Sequence, residues 1–467
     1  MEDTKRRPPE AWALVAAGLV WLAVASATGA VSFVLGVLPG ALLLSSGVAS
    51  LLLWDEPRAR RIGALAAVLG TLLALPMGFA AGGVSALLLL ALTVAAFAAT
   101  GTLTLRETPA APGVPEPEPS LRLSAEVAAD DALLAFFDLA LPYSSDEQVR
   151  RHVRELAEAE ALYTAQGWLE KPASFHAAPP PIGEVESRKR RAARVDFEHL
   201  RTPSGYAPHP EEPGRERWLG YAATQDAHAW LLRHADPTRP WLVCIHGYRM
   251  GHAAIDLSAF RAERLRDRLG LNVLLPVLPL HGPRRYGRLS GEGFIGGDFL
   301  DMVHAEAQAM WDLRRWLGWI RAQGGTKIGT FGLSLGGYNA ALLCCLDGEQ
   351  ACVVAGIPAT DLAALVWQHG PAHVLQDAEA RGFERERAER VLRVVSPLAL
   401  APLVPPERRW IFAGTADQLV PPSHVQRLVA HWGEPRMLWY PGAHLGFGAH
   451  AEVPLHLADA LHTSGLT

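Results

Sequence analysis

Gly332-Leu333-Ser334-Leu335-Gly336-Gly337 lies between an apolar run over 326–331 and the helical pattern YNAALLCCL. Strand, tight turn and helix in that order form an elbow. Such a turn leaves no room for side chains at 332 and 336, and it lifts the Ser334 hydroxyl clear of the sheet edge. A Gly-x-Ser-x-Gly motif alone is a weak signal. The run before it and the helix after it point to Ser334 as a nucleophile and to an α/β architecture.

Working outward, short apolar runs alternate with helical stretches from about 195 to the end. Strands are expected at 240–245, 272–278, 326–331, 351–356, 408–413 and 436–440, with helices such as 301–322 and 337–346 between them. That alternation predicts βαβ units and a mostly parallel sheet covered on both faces.

A serine alcohol is a poor nucleophile near neutral pH, so it needs an imidazole as base and a carboxylate to orient that imidazole. Two further strands end in suitable groups. The run 408–413 leads into Gly414-Thr415-Ala416-Asp417-Gln418, and 436–440 leads into Pro441-Gly442-Ala443-His444-Leu445. Asp361 and His450 are competing candidates. Asp361 reads better as the N-cap of the helix that follows it, and His450 lies six positions beyond His444.

These three motifs, each after an expected strand and in the order Ser334, Asp417, His444, make the stretch from about 240 to 467 resemble the α/β-hydrolase superfamily of esterases, lipases, thioesterases and peptidases. The resemblance implies an α/β-hydrolase fold, a Ser-His-Asp triad, an acyl-enzyme intermediate and no cofactor or metal. It also implies an oxyanion hole, formed by the backbone N–H groups of Tyr248, in His246-Gly247-Tyr248 after 240–245, and of Leu335. The Tyr248 phenol is an alternative donor. His246 is a candidate substrate contact, although a structural loop histidine is the stronger reading. Arg284 and Arg285, in the loop after 272–278, could meet an anionic substrate group or serve as structural arginines. The excursion 357–405 reads as a cap over the site, with an ordinary long connection as the alternative. Residues 1–200 fall outside the resemblance.

The first 105 residues are of another kind. Four apolar stretches, at about 11–28, 30–54, 62–80 and 84–105, are each long enough to cross hydrocarbon about 30 Å thick, and none contains a charged residue or histidine. Lys5, Arg6 and Arg7 precede the first. Arg58, Arg60 and Arg61 separate the second from the third, and Arg106 ends the fourth. By the positive-inside rule the N-terminus, the middle loop and everything after 106 are expected in the cytoplasm, with the chain integral to a plasma or inner membrane. Spans without ionisable groups read as an anchor rather than a transporter.

Between anchor and hydrolase, 106–120 is a spacer with five prolines. The segment 121–194 reads as a helical and Pro-rich accessory region, with Leu133, Leu134, Phe136 and Phe137 on one helix. It ends in the basic run Arg188, Lys189, Arg190, Arg191 and Arg194, a solvated face or a headgroup contact. The catalytic domain is expected over 195–467. A net charge of −5 gives no reason to expect nucleic-acid binding. Cys244, Cys344, Cys345 and Cys352 lack metal-ligand spacing and read as buried thiols.

The expectation is a membrane-anchored serine hydrolase acting on a carboxylic ester, an acyl ester or lipid. A thioesterase or peptidase would use the same machinery, and a silent binding protein on this fold is the reading from another class.

Overall fold

The computed structural model describes residues 8–53, 56–140, 145–236 and 238–467. Lys5, Arg6 and Arg7 lie outside the described residues. The chain forms two compact units.

The first unit holds α1 (Pro9–Ala27), α2 (Ala30–Leu52), α3 (Pro57–Ala81), α4 (Gly83–Glu107) and α5 (Leu121–Ala140), together with the loops 414–422 and 439–450. Helices α1 to α4 are long and apolar enough to cross a membrane. Gly29 and Gly82 turn the chain between α1 and α2 and between α3 and α4 with φ of 106° and 91°, a region open mainly to glycine. Small residues let the helices meet closely. A Cβ added at Gly18 of α1 would lie 2.8 Å from the Gly40 carbonyl oxygen of α2. Leu14, Trp21, Leu43, Met77 and Leu89 fill the centre, and the Trp21 indole N–H donates to Thr93 at 3.0 Å.

The basic cluster is not a loop between spans. Pro57 starts α3 with Glu56 as its N-cap, so Arg58, Arg60 and Arg61 ride on the first turns of the helix. Arg60 pairs with Glu107, and Arg106 with Glu10 at 2.8 Å, tying the helix ends together.

Helix α5 belongs with the spans rather than with the rest of 121–194. Its Ala128 and Ala132 pack on Ala64, and Thr104 donates to Asp131 at 2.6 Å. Its Leu123 and Val127 cluster with Leu105, Ala416 and Ala443.

The second unit contains α6 (Asp146–Ala165) and most of a nine-stranded sheet: β1 (Glu186–Ala192), β2 (Val195–Pro203), β3 (Asp226–Leu232), β4 (Trp241–Ile245), β5 (Asn272–Val277), β6 (Ile328–Leu333), β7 (Cys352–Gly356), β8 (Arg409–Gly414) and β9 (Arg436–Tyr440). The spatial order is β1-β2-β3-β5-β4-β6-β7-β8-β9. Strands β1, β2, β3 and β5 pair antiparallel, whereas β5, β4, β6, β7 and β8 run parallel. Strands β4 to β8 are buried at every position, so helices cover both faces. This is the α/β-hydrolase fold. All four cysteines are buried and free.

The sheet begins at Glu186, not near 195. The basic run is the exposed edge strand β1, joined to β2 by a two-residue turn in which Ala193 and Arg194 both have positive φ. That is hairpin geometry without the Asn-Gly signature that announces it, and charge on an edge strand deters pairing with other chains.

Candidate active site

The elbow is built by backbone crowding. At Ser334 the chain turns from β6 into the helix Leu335–Cys344 with φ 56° and ψ −113°, and the Ser334 N–H donates to Gly356 O at 2.9 Å. A side chain at 332 would put a Cβ 1.9 Å from Gly336 O, and one at 336 would put it 1.9 Å from Ile245 O. Only glycine permits that approach. The loop after β4 lies alongside, since a Cβ on Gly247 would stand 3.4 Å from the Ser334 Cβ. Tyr248 follows it, and Leu335 is the first residue of the helix, where N–H groups lack intrahelical partners.

His246 is occupied with holding that loop. Its Nε2 accepts the Leu278 N–H at 3.0 Å and its Nδ1 faces Gly247 O at 2.9 Å, which assigns the proton to Nδ1. Burial lowers its basicity. Of the two sequence readings of Arg284, substrate contact or structural arginine, its surroundings match the second. It is 1% exposed and donates to Asp312 at 2.7 Å, to Val277 O at 2.8 Å and to Thr224 O at 3.1 Å. A guanidinium so enclosed is structural. Arg285 is exposed and donates to Gly282 O.

Asp417 and His444 come together in the first unit. Asp417 Oδ1 accepts the N–H groups of Leu419 at 2.9 Å and Val420 at 2.7 Å, fixing its turn. Its Oδ2 stands 2.6 Å from His444 Nδ1, with both residues at 5% exposure or less. Burial alone would make His444 less basic. Asp417, with Asp130 behind it, outweighs that and raises its pKa above the ordinary value. Ser334 belongs to the second unit.

The competing candidates have other partners. Asp361 caps the helix Leu362–His369 by accepting the Ala364 N–H, and it meets Arg427 at 2.7 Å. His450 faces Glu126 at 3.1 Å. The excursion 357–405 is helical, over Leu362–His369, Ala372–Ala380 and Arg385–Leu392. Its last helix is tied to α6 through Arg387 and Glu160 at 2.7 Å.

Two carboxylates escaped the sequence reading. Asp130 and Glu126 of α5 accept backbone N–H groups from the loops that carry Asp417 and His444. The signal present was the Asp130-Asp131 pair flanked by alanines, valine and leucines in the middle of a helical stretch, an expensive thing to bury without partners.

No family model matches the chain. Among solved structures it resembles acetyl xylan esterase 1 from Thermoanaerobacterium sp. JW/SL YS485, at 17% identity, 64% coverage of this chain, 92% of that one and a TM-score of 0.45. It also resembles an acetyl xylan esterase from Paenibacillus sp. R4, at 15% identity, 71% and 98% coverage and a TM-score of 0.44. Two proteins of Mycobacterium tuberculosis, the uncharacterized proteins MT2702 of strain CDC 1551 and Rv2627c of strain H37Rv, are each 45% identical to it. Each match runs over 355 residues, 76% of this chain and 85% of the relative. The chain belongs to the family of these two mycobacterial proteins.

Proposed function

We propose that the protein is a membrane-anchored serine hydrolase that cleaves carboxylic esters of apolar acyl groups through a Ser334-His444-Asp417 triad. The buried pair of Asp417 and His444, 2.6 Å apart, carries the reading. A carboxylate on Nδ1 fixes the tautomer that leaves Nε2 free to act as a base. The positive φ of Ser334 and the three strand-end positions support it.

In this mechanism His444 Nε2 takes the Ser334 hydroxyl proton as Oγ attacks the ester carbonyl. The N–H groups of Tyr248 and Leu335 bind the oxyanion, each donor supplying about 10²–10³ in rate. Collapse expels the alcohol, which receives the proton from His444. Water then attacks the acyl-enzyme, with His444 again accepting the proton, and the acid leaves as Ser334 is restored. Nothing in this cycle calls for a cofactor or metal.

The four spans support an integral anchor. Arg58, Arg60, Arg61 and Arg106 support a cytoplasmic N-terminus and hydrolase. Anchoring favours a membrane-resident acyl ester as substrate.

The test is a fluorophosphonate probe on membranes holding wild-type or Ser334→Ala protein. Labelling that depends on Ser334 is expected, and well-folded wild-type protein that stays unlabelled overturns the reading. A panel of oxyesters, thioesters and peptides then identifies the bond cleaved. A reporter fused after residue 106 should appear in the cytoplasm.

A further inference from the structure

Asp130 is 0% exposed and accepts three backbone N–H groups. Its Oδ2 takes those of His444 at 2.8 Å and Gln418 at 3.1 Å, and its Oδ1 takes that of Leu445 at 3.0 Å. Gln418 follows Asp417 directly. One carboxylate therefore fastens the two loops beside the pair they carry. Four residues earlier on α5, Glu126 accepts the Ala443 N–H at 3.2 Å and faces His450. Both loops are thus seated on α5, which Thr104 and Ala64 in turn fasten to the membrane helices.

We propose that Asp130 is a positioning residue for the hydrolase, holding His444 and Asp417 in register and lending the forming imidazolium a second negative charge. The proposal rests on the triad reading above. It makes α5 part of the catalytic apparatus, so the anchor supplies a working component as well as attachment.

Both roles follow from chemistry. Three N–H donors converging on one carboxylate leave the loops little freedom, and a misplacement of about 1 Å at a reacting group can cost about 10²-fold in rate. The charged groups that face Asp130 are Asp417 and His444 on the loops. On α5 itself, Glu126 is engaged by Arg122 and His450, and Asp131 is directed to Thr104, with Arg60 and Arg61 beyond it. Burial first, and then repulsion from Asp417, push the Asp130 carboxyl up to about 7. Its charge therefore develops over the range in which His444 must act as a base.

The experiment uses the full-length chain in detergent micelles, comparing wild type, D130N and D130E by hydrolysis of a 4-nitrophenyl acyl ester across pH and by fluorophosphonate labelling. Asn keeps the size but offers an amide donor where an N–H must be accepted, and it removes the charge. D130N is expected to lower kcat about 10²-fold with KM little changed, and to move the acid limb of kcat/KM to lower pH by roughly half a unit or more. D130E keeps the charge on a longer arm, so it should lose rate without moving that limb. Folding is checked by thermal unfolding. If D130N does not fold, D130E alone decides, and a wild-type rate in D130E overturns the proposal. So does D130N with a wild-type rate and pH profile. A wild type without Ser334-dependent labelling overturns the triad reading instead, so the two failures are distinguishable.

Discussion

Asp417 Oδ2 and His444 Nδ1 lie 2.6 Å apart in a buried pair within the same unit as the four spans. The carboxylate dictates the tautomer of the ring and raises its basicity against the burial that would lower it. Two consequences can be measured.

First, activity should rise with pH. As the proposed base His444 must be neutral, and its pKa lies above the ordinary 6.5. The acid limb of kcat/KM is therefore expected above pH 6.5 rather than below it. D417N should lower kcat by about 10⁴-fold, with the protein still folded by thermal unfolding. A wild-type rate in D417N would remove Asp417 from the mechanism.

Gly336 tests the elbow. Its absent Cβ would stand 1.9 Å from Ile245 O and 2.7 Å from His246 O, both backbone atoms that cannot swing aside. Gly336→Ala should cost about 1–3 kcal/mol and abolish Ser334 labelling, as measured by denaturant unfolding and the fluorophosphonate probe. Gly318 has nothing within 4 Å of its would-be Cβ. Gly318→Ala, in the helix Phe299–Ala322, should stabilise by up to about 1 kcal/mol.

Glu306, against the helix Leu335–Cys344, makes a pH prediction. It is 1% exposed, with the Asn339 amide donating to Oε1 at 3.4 Å. Burial pushes its carboxyl from 4.5 to about 8. The unfolded chain loses this proton at lower pH than the folded one. Folding stability attributable to Glu306 is therefore full below pH 4.5 and falls as pH rises toward 8, by up to about 1.4 kcal/mol per unit. E306Q should match wild type near pH 4 and exceed it increasingly up to about pH 8. Parallel stability curves for the two proteins would show that Glu306 does not titrate this way.

Arg284 and Arg285 are neighbours with opposite expected effects. Arg284→Ala strands the buried Asp312 carboxylate and should cost about 3–5 kcal/mol in unfolding experiments. Arg285→Ala, at an exposed site, should stay within about 0.5 kcal/mol. If Arg284→Ala instead raised KM at unchanged stability, the arginine would be a substrate contact after all.

How much was legible varies by element, for physical reasons. The parallel core strands are continuous apolar runs, which stand out because both of their faces are buried. The β1–β2 hairpin was hidden because its edge strand is basic and its turn, Ala193-Arg194, contains no glycine or asparagine. The accessory segment read as one piece because α5 and α6 share a helical pattern, yet α5 falls with the spans and α6 with the sheet. Composition does not say against what a helix packs.

The sequence by itself determined the features that are local in the chain. The elbow needs glycines two residues either side of Ser334, the spans need length and apolarity, and the acid and base candidates follow strand ends. Each is a constraint on consecutive residues. Only the tertiary structure decided what the buried polar groups meet. Asp130 finds the His444 N–H across 314 residues of chain, and Arg284 is spent on Asp312. A buried charge must find its partner wherever the fold delivers one, and residues adjacent in sequence do not record that delivery.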